Sequence, residues 1–189
     1  VKSGVFDASR KKVMDQNDES QIIRLPYRSD FIEVPIPKGK KISIYEPDGM
    51  PCAADQQEEV FRAVKSPIGS AELSEIAKGK KTAAIVVDDS TRPVPTYLMI
   101  KPVIQQLQEA GITLDNTTVV VATGLHRGAN QEEMQEMVGD LKIKVINHDA
   151  KSDLTKVGTF SSGRSLFVNR TVAQSDIRIL TGDIELHQF

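Results

Sequence analysis

An α/β fold with a Rossmann-like, doubly wound and mostly parallel sheet is what this sequence predicts, and three observations predict it. Residues 82–87 and 118–122 are continuous, β-branched apolar runs, as expected of strands buried on both faces of a parallel sheet. Each run is followed by a polar loop and then by apolar residues at helical spacing, giving the strand, helix, strand rhythm of βαβ units. The chain has 189 residues, 39% apolar and 26% charged, the balance of a globular domain that can bury a substantial core.

The elements follow in order. Residues 1–40 are polar and interrupted by Pro26, Pro35 and Pro37. They predict an N-terminal arm with one edge strand around residues 31–34. Residues 41–189 are expected to form the α/β catalytic domain. Within it, residues 42–45 alternate and end at Pro47-Asp48-Gly49, a strand closed by a turn. Residues 56–65 place Val60, Phe61 and Val64 on one helical face. Ser70 is positioned to cap a short helix that runs to Lys78 and stops at Gly79.

After the first apolar run comes a polar loop, residues 88–95. Ile100, Ile104, Leu107 and Ala110 then recur at helical spacing, with Pro102 expected in the first turn and Gly111 at the end. Asn130 and Glu133 have the spacing of a capping box ahead of Met134, Met137 and Val138. Residues 143–146 are a third strand. Residues 154–160 and 165–169 flank Ser161-Ser162-Gly163-Arg164 as a β-hairpin insertion, and residues 177–180 are the last strand.

Charge excludes some functions. Lys and Arg total 24 against 26 Asp and Glu, a net charge of −2, which argues against a general nucleic-acid or membrane-surface role. Arg10-Lys11-Lys12 is expected to be a solvated tail. Cys52 is the sole cysteine, so no internal disulfide forms, which fits a reducing compartment. No segment reaches the ~20 apolar residues of a membrane span, and no signal peptide is visible. The expected location is the cytoplasm.

Ligands of open parallel α/β sheets bind beyond the carboxyl ends of the strands. Four loops here leave such ends. They carry Asp88, Asp89, Thr91 and Arg92; His126 and Arg127; His148 and Asp149; and Asp183, Glu185 and His187. All three histidines therefore follow predicted strands. Asp88 and Asp89 are alternatively solvated loop acids or helix caps. Arg92 sits between Ser90-Thr91 and two stiffening prolines, Pro93 and Pro95, and suits a forked grip on carboxylate or phosphate. His126 follows Thr123-Gly124, where glycine allows a tight turn, and histidine is a residue type suited to proton transfer. His148-Asp149 is either part of a site or a hydrogen-bonded turn. No G-x-G-x-x-G, phosphate loop or G-x-S-x-G elbow occurs.

Taken together, Pro67-Ile68-Gly69-Ser70, Asp88-Asp89-Ser90-Thr91-Arg92-Pro93, Ala122-Thr123-Gly124-Leu125-His126-Arg127, Asn147-His148-Asp149, Val168-Asn169-Arg170 and Thr181-Gly182-Asp183-Ile184 with His187 resemble the nickel-pincer lactate racemase family. The resemblance spans about residues 67–187. It implies a two-domain racemase or epimerase of a small 2-hydroxy acid. The implied cofactor is the nickel-pyridinium-3,5-bisthiocarboxylic acid mononucleotide. It implies that His126 and His187 are paired acid–base catalysts, that Arg92 binds the substrate, and that Asp89, Ser90, Thr91 and Arg92 lie against the cofactor. The implied mechanism passes hydride from the substrate's Cα to the cofactor and back to the other face. The family's cofactor-attachment lysine and nickel-ligating histidine lie beyond the His187 equivalent. The chain is therefore expected to be the N-terminal domain, truncated at its C-terminal end, lacking the second domain, and inactive alone. Leu186 stands where the family has proline.

The expected partner is a small-molecule 2-hydroxy acid, with no nucleic acid or membrane; the oligomeric state is left open. Two other readings compete. A metal-dependent hydrolase would use His126, His148 and His187 with a carboxylate. A non-catalytic module would bind an anion through Arg92 and Arg127.

Overall fold

The computed structural model describes residues 21–27, 30–40, 42–43 and 51–184. The chain divides into two compact units, Val1–Cys52 and Ala53–Phe189. The first holds an antiparallel hairpin, β1 (Gln21–Tyr27) and β2 (Asp30–Ile36), with Leu25 opposite Ile32 and Ile23 opposite Val34. The expected edge strand is thus β2, and it has a partner. Pro26 and Pro35 sit within the two strands, opposite Phe31 and Ile22. Each strand of a two-stranded ribbon has an unpaired outer side where a missing N–H costs little. The strand expected over residues 42–45 lies largely outside the described residues.

In the second unit, α1 (Gln56–Lys65) is capped by Asp55, whose Oδ1 accepts from the Glu58 N–H at 3.0 Å. The next helix, α2 (Leu73–Ile76), starts at Glu72 without a side-chain cap. Ser70 is therefore not its cap; its hydroxyl donates to the Ala71 carbonyl at 3.2 Å. β3 (Ala83–Asp88) leads to α3 (Thr96–Glu109). This helix begins earlier than its apolar spacing implies, so Pro102 falls inside it rather than in its first turn. A proline there leaves the Leu98 carbonyl without its usual helical donor, and the ring is instead spent on packing: Pro102 is buried.

A 3-10 turn precedes β4 (Thr117–Ala122), which is followed by α4 (Gln131–Val138) and β5 (Lys144–Asn147). The expected hairpin is β6 (Leu154–Thr159) and β7 (Ser165–Asn169), with a register shift between Lys156 and Gly158. A short helix that the spacing does not announce, α5 (Arg170–Gln174), then delivers β8 (Ile177–Leu180).

Four strands form one parallel sheet in the order β5-β4-β3-β8. The chain enters at β3, steps outward through α3 and α4 to β5, and then crosses back to the other side of β3. That reversal puts a topological switch point between β3 and β8, where doubly wound sheets open a crevice at their carboxyl rim. The α/β, Rossmann-like expectation holds, with antiparallel hairpins added.

Alternation along the strands fills both faces. Ile85, Val87, Val119, Val121 and Ile177 join Ile100, Ile104 and Leu107 of α3 and Met137 and Val138 of α4 in the main core. Ala84 and Val120 point the opposite way, yet are 0% and 1% exposed; α5 packs against β3 there. Burying an aliphatic side chain of this size contributes about 1.5–3 kcal/mol, so the rim loops sit on a rigid base. Among the described residues, no helix is long and apolar enough to cross a membrane.

Candidate functional site

The carboxyl ends of β3, β4, β5 and β8 point to one rim because the four strands are parallel. Asp88 ends β3 opposite Ala122 at the end of β4. Gly182 follows β8, and a Cβ there would stand 3.4 Å from Asp88 Oδ2. The backbone that leaves β8 thus passes directly beside the Asp88 carboxylate.

The β4 loop turns sharply. The His126 N–H donates to the Thr123 carbonyl at 2.8 Å, and the turn requires φ +56 at Gly124, a left-handed angle that glycine adopts without strain. Thr123 is buried, and its hydroxyl donates to the His148 carbonyl at 2.7 Å. The turn that presents His126 is therefore tied to the end of β5.

The turn brings His126 onto Asp89, with Nδ1 to Oδ2 at 2.7 Å. Asp89 is 8% exposed. Its other oxygen, Oδ1, accepts from the Thr91 N–H at 2.8 Å and the Thr91 hydroxyl at 2.5 Å. Burial pushes the Asp89 carboxyl up, but the Thr91 and His126 hydrogen bonds together outweigh it and hold the group below its ordinary value. Asp89 is thus a buried carboxylate with both oxygens satisfied, the condition for keeping a charge there. The imidazole side chain remains 53% exposed.

A second tie joins the same two loops. Arg127 donates to both Glu133 oxygens, at 2.8 and 2.6 Å. Glu133 also closes the capping box of α4: its carboxylate accepts from the Asn130 N–H, and Asn130 Oδ1 accepts from the Glu133 N–H. Arg127, the Asn130 N–H and the Ser90 side chain hold the Glu133 carboxyl down at about 2. One side chain therefore caps a helix, grips the β4 loop and reaches the β3 loop. The sequence shows Glu133 only as a cap.

At β5, Asn147 grips the backbone of Ala129 twice, accepting its N–H and donating to its carbonyl, both at 2.9 Å. Asp149 belongs to a turn, accepting from the Lys151 N–H at 2.8 Å and the Ser152 hydroxyl at 2.6 Å. His148 supports the turn through its backbone, donating its N–H to the Val121 carbonyl at 2.9 Å.

The structure therefore brings together Asp89, Thr91 and His126 directly, and Ser90 and Arg127 through Glu133. Arg92 lies on the same β3 loop, its N–H closing a turn onto the Asp89 carbonyl at 3.1 Å with the side chain exposed. His187 and Glu185 lie outside the described residues. Among the described residues, no three His, Cys, Asp or Glu side chains gather as a metal site. Thr91, Glu133 and Asn147 carry more of the site than the sequence reading assigned them. For Thr91, the Asp-Ser-Thr spacing was the available signal, because aspartate readily accepts from the N–H two residues on.

Fold and site together define a parallel α/β domain that presents an aspartate-backed histidine at its strand rim, beside a switch-point crevice. Residues 27–189 match the model of the lactate racemase N-terminal domain family. The chain belongs to that family. It is similar to lactate racemase of Thermoanaerobacterium thermosaccharolyticum, with 28% identity over 88% of this chain and 41% of that protein. It is also similar to lactate racemase of Lactiplantibacillus plantarum, with 32% identity over 71% of this chain and 32% of that one. The chain thus spans well under half of the length of these relatives.

Among solved structures, the lactate racemase apoprotein of T. thermosaccharolyticum aligns with a TM-score of 0.65 at 23% identity, over 85% of this chain and 38% of that chain. A Thermotoga maritima protein aligns with a TM-score of 0.51 at 21% identity, over 66% of this chain and 33% of that one. Both show the shared fold.

Proposed function

We propose that this chain forms one wall of the active site of a lactate-racemase-like isomerase that inverts small 2-hydroxy acids. The observation that carries the reading is the half-exposed His126 held on buried Asp89 at the strand rim, in a chain of this family. For one enantiomer His126 takes the substrate's hydroxyl proton, and the opposite histidine returns a proton to the hydroxyl of the inverted product. Arg92 holds the substrate carboxylate, so that the planar keto intermediate turns over without leaving. His187 is the proposed second acid–base residue for the opposite face.

The family's nickel-pincer nucleotide, when bound, supplies a hydride acceptor. The exposed Arg92 guanidinium on this rim suits an anionic group such as a phosphate or a carboxylate. Of the residues expected against the cofactor, Asp89, Ser90 and Thr91 have side chains engaged within the protein. Arg92 is the side chain proposed to meet the nucleotide or the substrate, because an exposed guanidinium on this loop presents a fork that matches carboxylate or phosphate.

The pairing of Arg127 with Glu133 disfavours the anion-binding module, which needs Arg127 for its ligand. The hydrolase reading keeps one supporting observation, because a carboxylate on Nδ1 also orients metal-ligating histidines. Chiral chromatography of several 2-hydroxy acids incubated with the complete, nickel-loaded enzyme separates the two. Racemisation that falls by about 100-fold or more in His126→Gln supports the isomerase. Undiminished racemisation in that variant ends the assignment of His126.

A further inference from the structure

We propose that Asp89 is a positioning residue that locks His126 as its Nδ1–H tautomer and leaves the Nε2 lone pair for the reacting proton. The inference deepens the isomerase reading and rests on it only for the catalytic consequence; the tautomer itself follows from hydrogen bonding alone. An ionised carboxylate has no proton to give. Asp89 Oδ2 lies 2.7 Å from His126 Nδ1, so the hydrogen between them belongs to the imidazole. The carboxyl group is held ionised by the three hydrogen bonds it receives, despite its burial. A proton on Nδ1 leaves Nε2 as the only basic nitrogen, on the far side of the ring from Asp89. A histidine without this partner distributes its proton between two nitrogens, so that neither is reserved for the reacting proton.

Thr91 makes this lock directional. Its N–H and its hydroxyl both donate to Asp89 Oδ1, so that atom must be an acceptor. In Asp89→Asn, the amide oxygen is therefore kept at the Thr91 side, and the NH2 group takes the place of Oδ2. An NH2 group facing Nδ1 is a donor, which requires a lone pair on Nδ1 and drives the ring proton to Nε2. A near-isosteric change thus inverts the tautomer instead of merely loosening the ring. The same logic separates Asp89 from Thr91: Thr91→Val removes one hydrogen bond from the pair but leaves a carboxylate on Nδ1.

The test is the long-range 1H–15N spectrum of 15N-histidine-labelled protein at a pH where the imidazole is neutral, with His126 assigned by its loss in His126→Gln. The wild type is expected to show a protonated Nδ1 and a bare Nε2. Asp89→Asn is expected to show the reverse, and Thr91→Val to keep the wild-type pattern. In the complete enzyme, kcat for racemisation is expected to fall by about 100- to 10,000-fold in Asp89→Asn, with KM changed far less. A wild-type protein carrying its proton on Nε2 overturns the proposal, and that measurement does not depend on any variant folding. Equal effects of Asp89→Asn and Thr91→Val on the tautomer overturn it too. If the tautomers behave as stated while racemisation is untouched by Asp89→Asn, the catalytic consequence is overturned and the positioning geometry stands; a complete wild-type enzyme that racemises no 2-hydroxy acid while the tautomers behave as stated ends the isomerase reading instead.

Discussion

A methyl group at position 128 would lie 2.7 Å from Asn147 Nδ2 and 2.9 Å from its Cγ. Asn147 cannot simply swing away, because its amide makes both hydrogen bonds to Ala129. Gly128→Ala is therefore expected to destabilise the protein by about 1–3 kcal/mol, read as a lower urea midpoint at unchanged slope. Glu133 gives a prediction with a sign. Its folded pKa, about 2, lies below its ordinary value of 4.5. The native state thus binds its proton more weakly than the unfolded chain does. The stabilisation is complete above pH 4.5 and is lost as pH falls toward 2. Glu133→Gln is expected to flatten the stability curve across that window, measured by denaturation at stepped pH. Arg127 and Glu133 were visible as separate charges six positions apart; that they bind each other depends on the left-handed turn at Gly124 and on the helix start, which no local pattern encodes.

At the scale of elements, α4 owes its start to the reciprocal bonds of Asn130 and Glu133. Asn130→Ala is expected to cost about 1 kcal/mol, checked by thermal or chemical denaturation, and to loosen Arg127 through the freed Glu133. This capping box was legible because both partners are three residues apart. The buried strands were legible for a related reason: a strand covered on both faces must be apolar throughout. Elements whose definition is tertiary escaped. α5 has five residues, too few to establish a period. The start of α3 was obscured by Pro93 and Pro95, and β1 by Pro26, since proline normally argues against the interior of either element. The candidate site divides in the same way. Strand-end position singled out His126 and the Asp88–Arg92 loop, whereas the contact between Asp89 and His126 joins residues 37 apart in sequence and exists only once β3 and β4 lie side by side.

For the whole molecule, the core under the rim determines how well the loops hold their positions. Leu107 is fully buried between α3 and the sheet. Leu107→Ala is expected to cost about 2–5 kcal/mol by denaturation, because the cavity cannot collapse fully. The route of the chain has a kinetic corollary. β3, β4 and β5 are joined by short crossovers, but β8 reaches β3 only after the chain has closed on itself: the Asp176 carboxylate accepts from the N–H groups of Lys81 and Thr82, 95 and 94 residues away. Closing so large a loop is entropically costly, and distant pairings of this kind slow folding. The outer strand should therefore dock last, after the aspartate and histidine have already met. In pulsed hydrogen exchange during refolding, amides of Ile177–Leu180 are expected to gain protection later than those of β4. A partly folded chain would then carry the Asp89–His126 contact already made while the edge of the sheet beside β3 was still open.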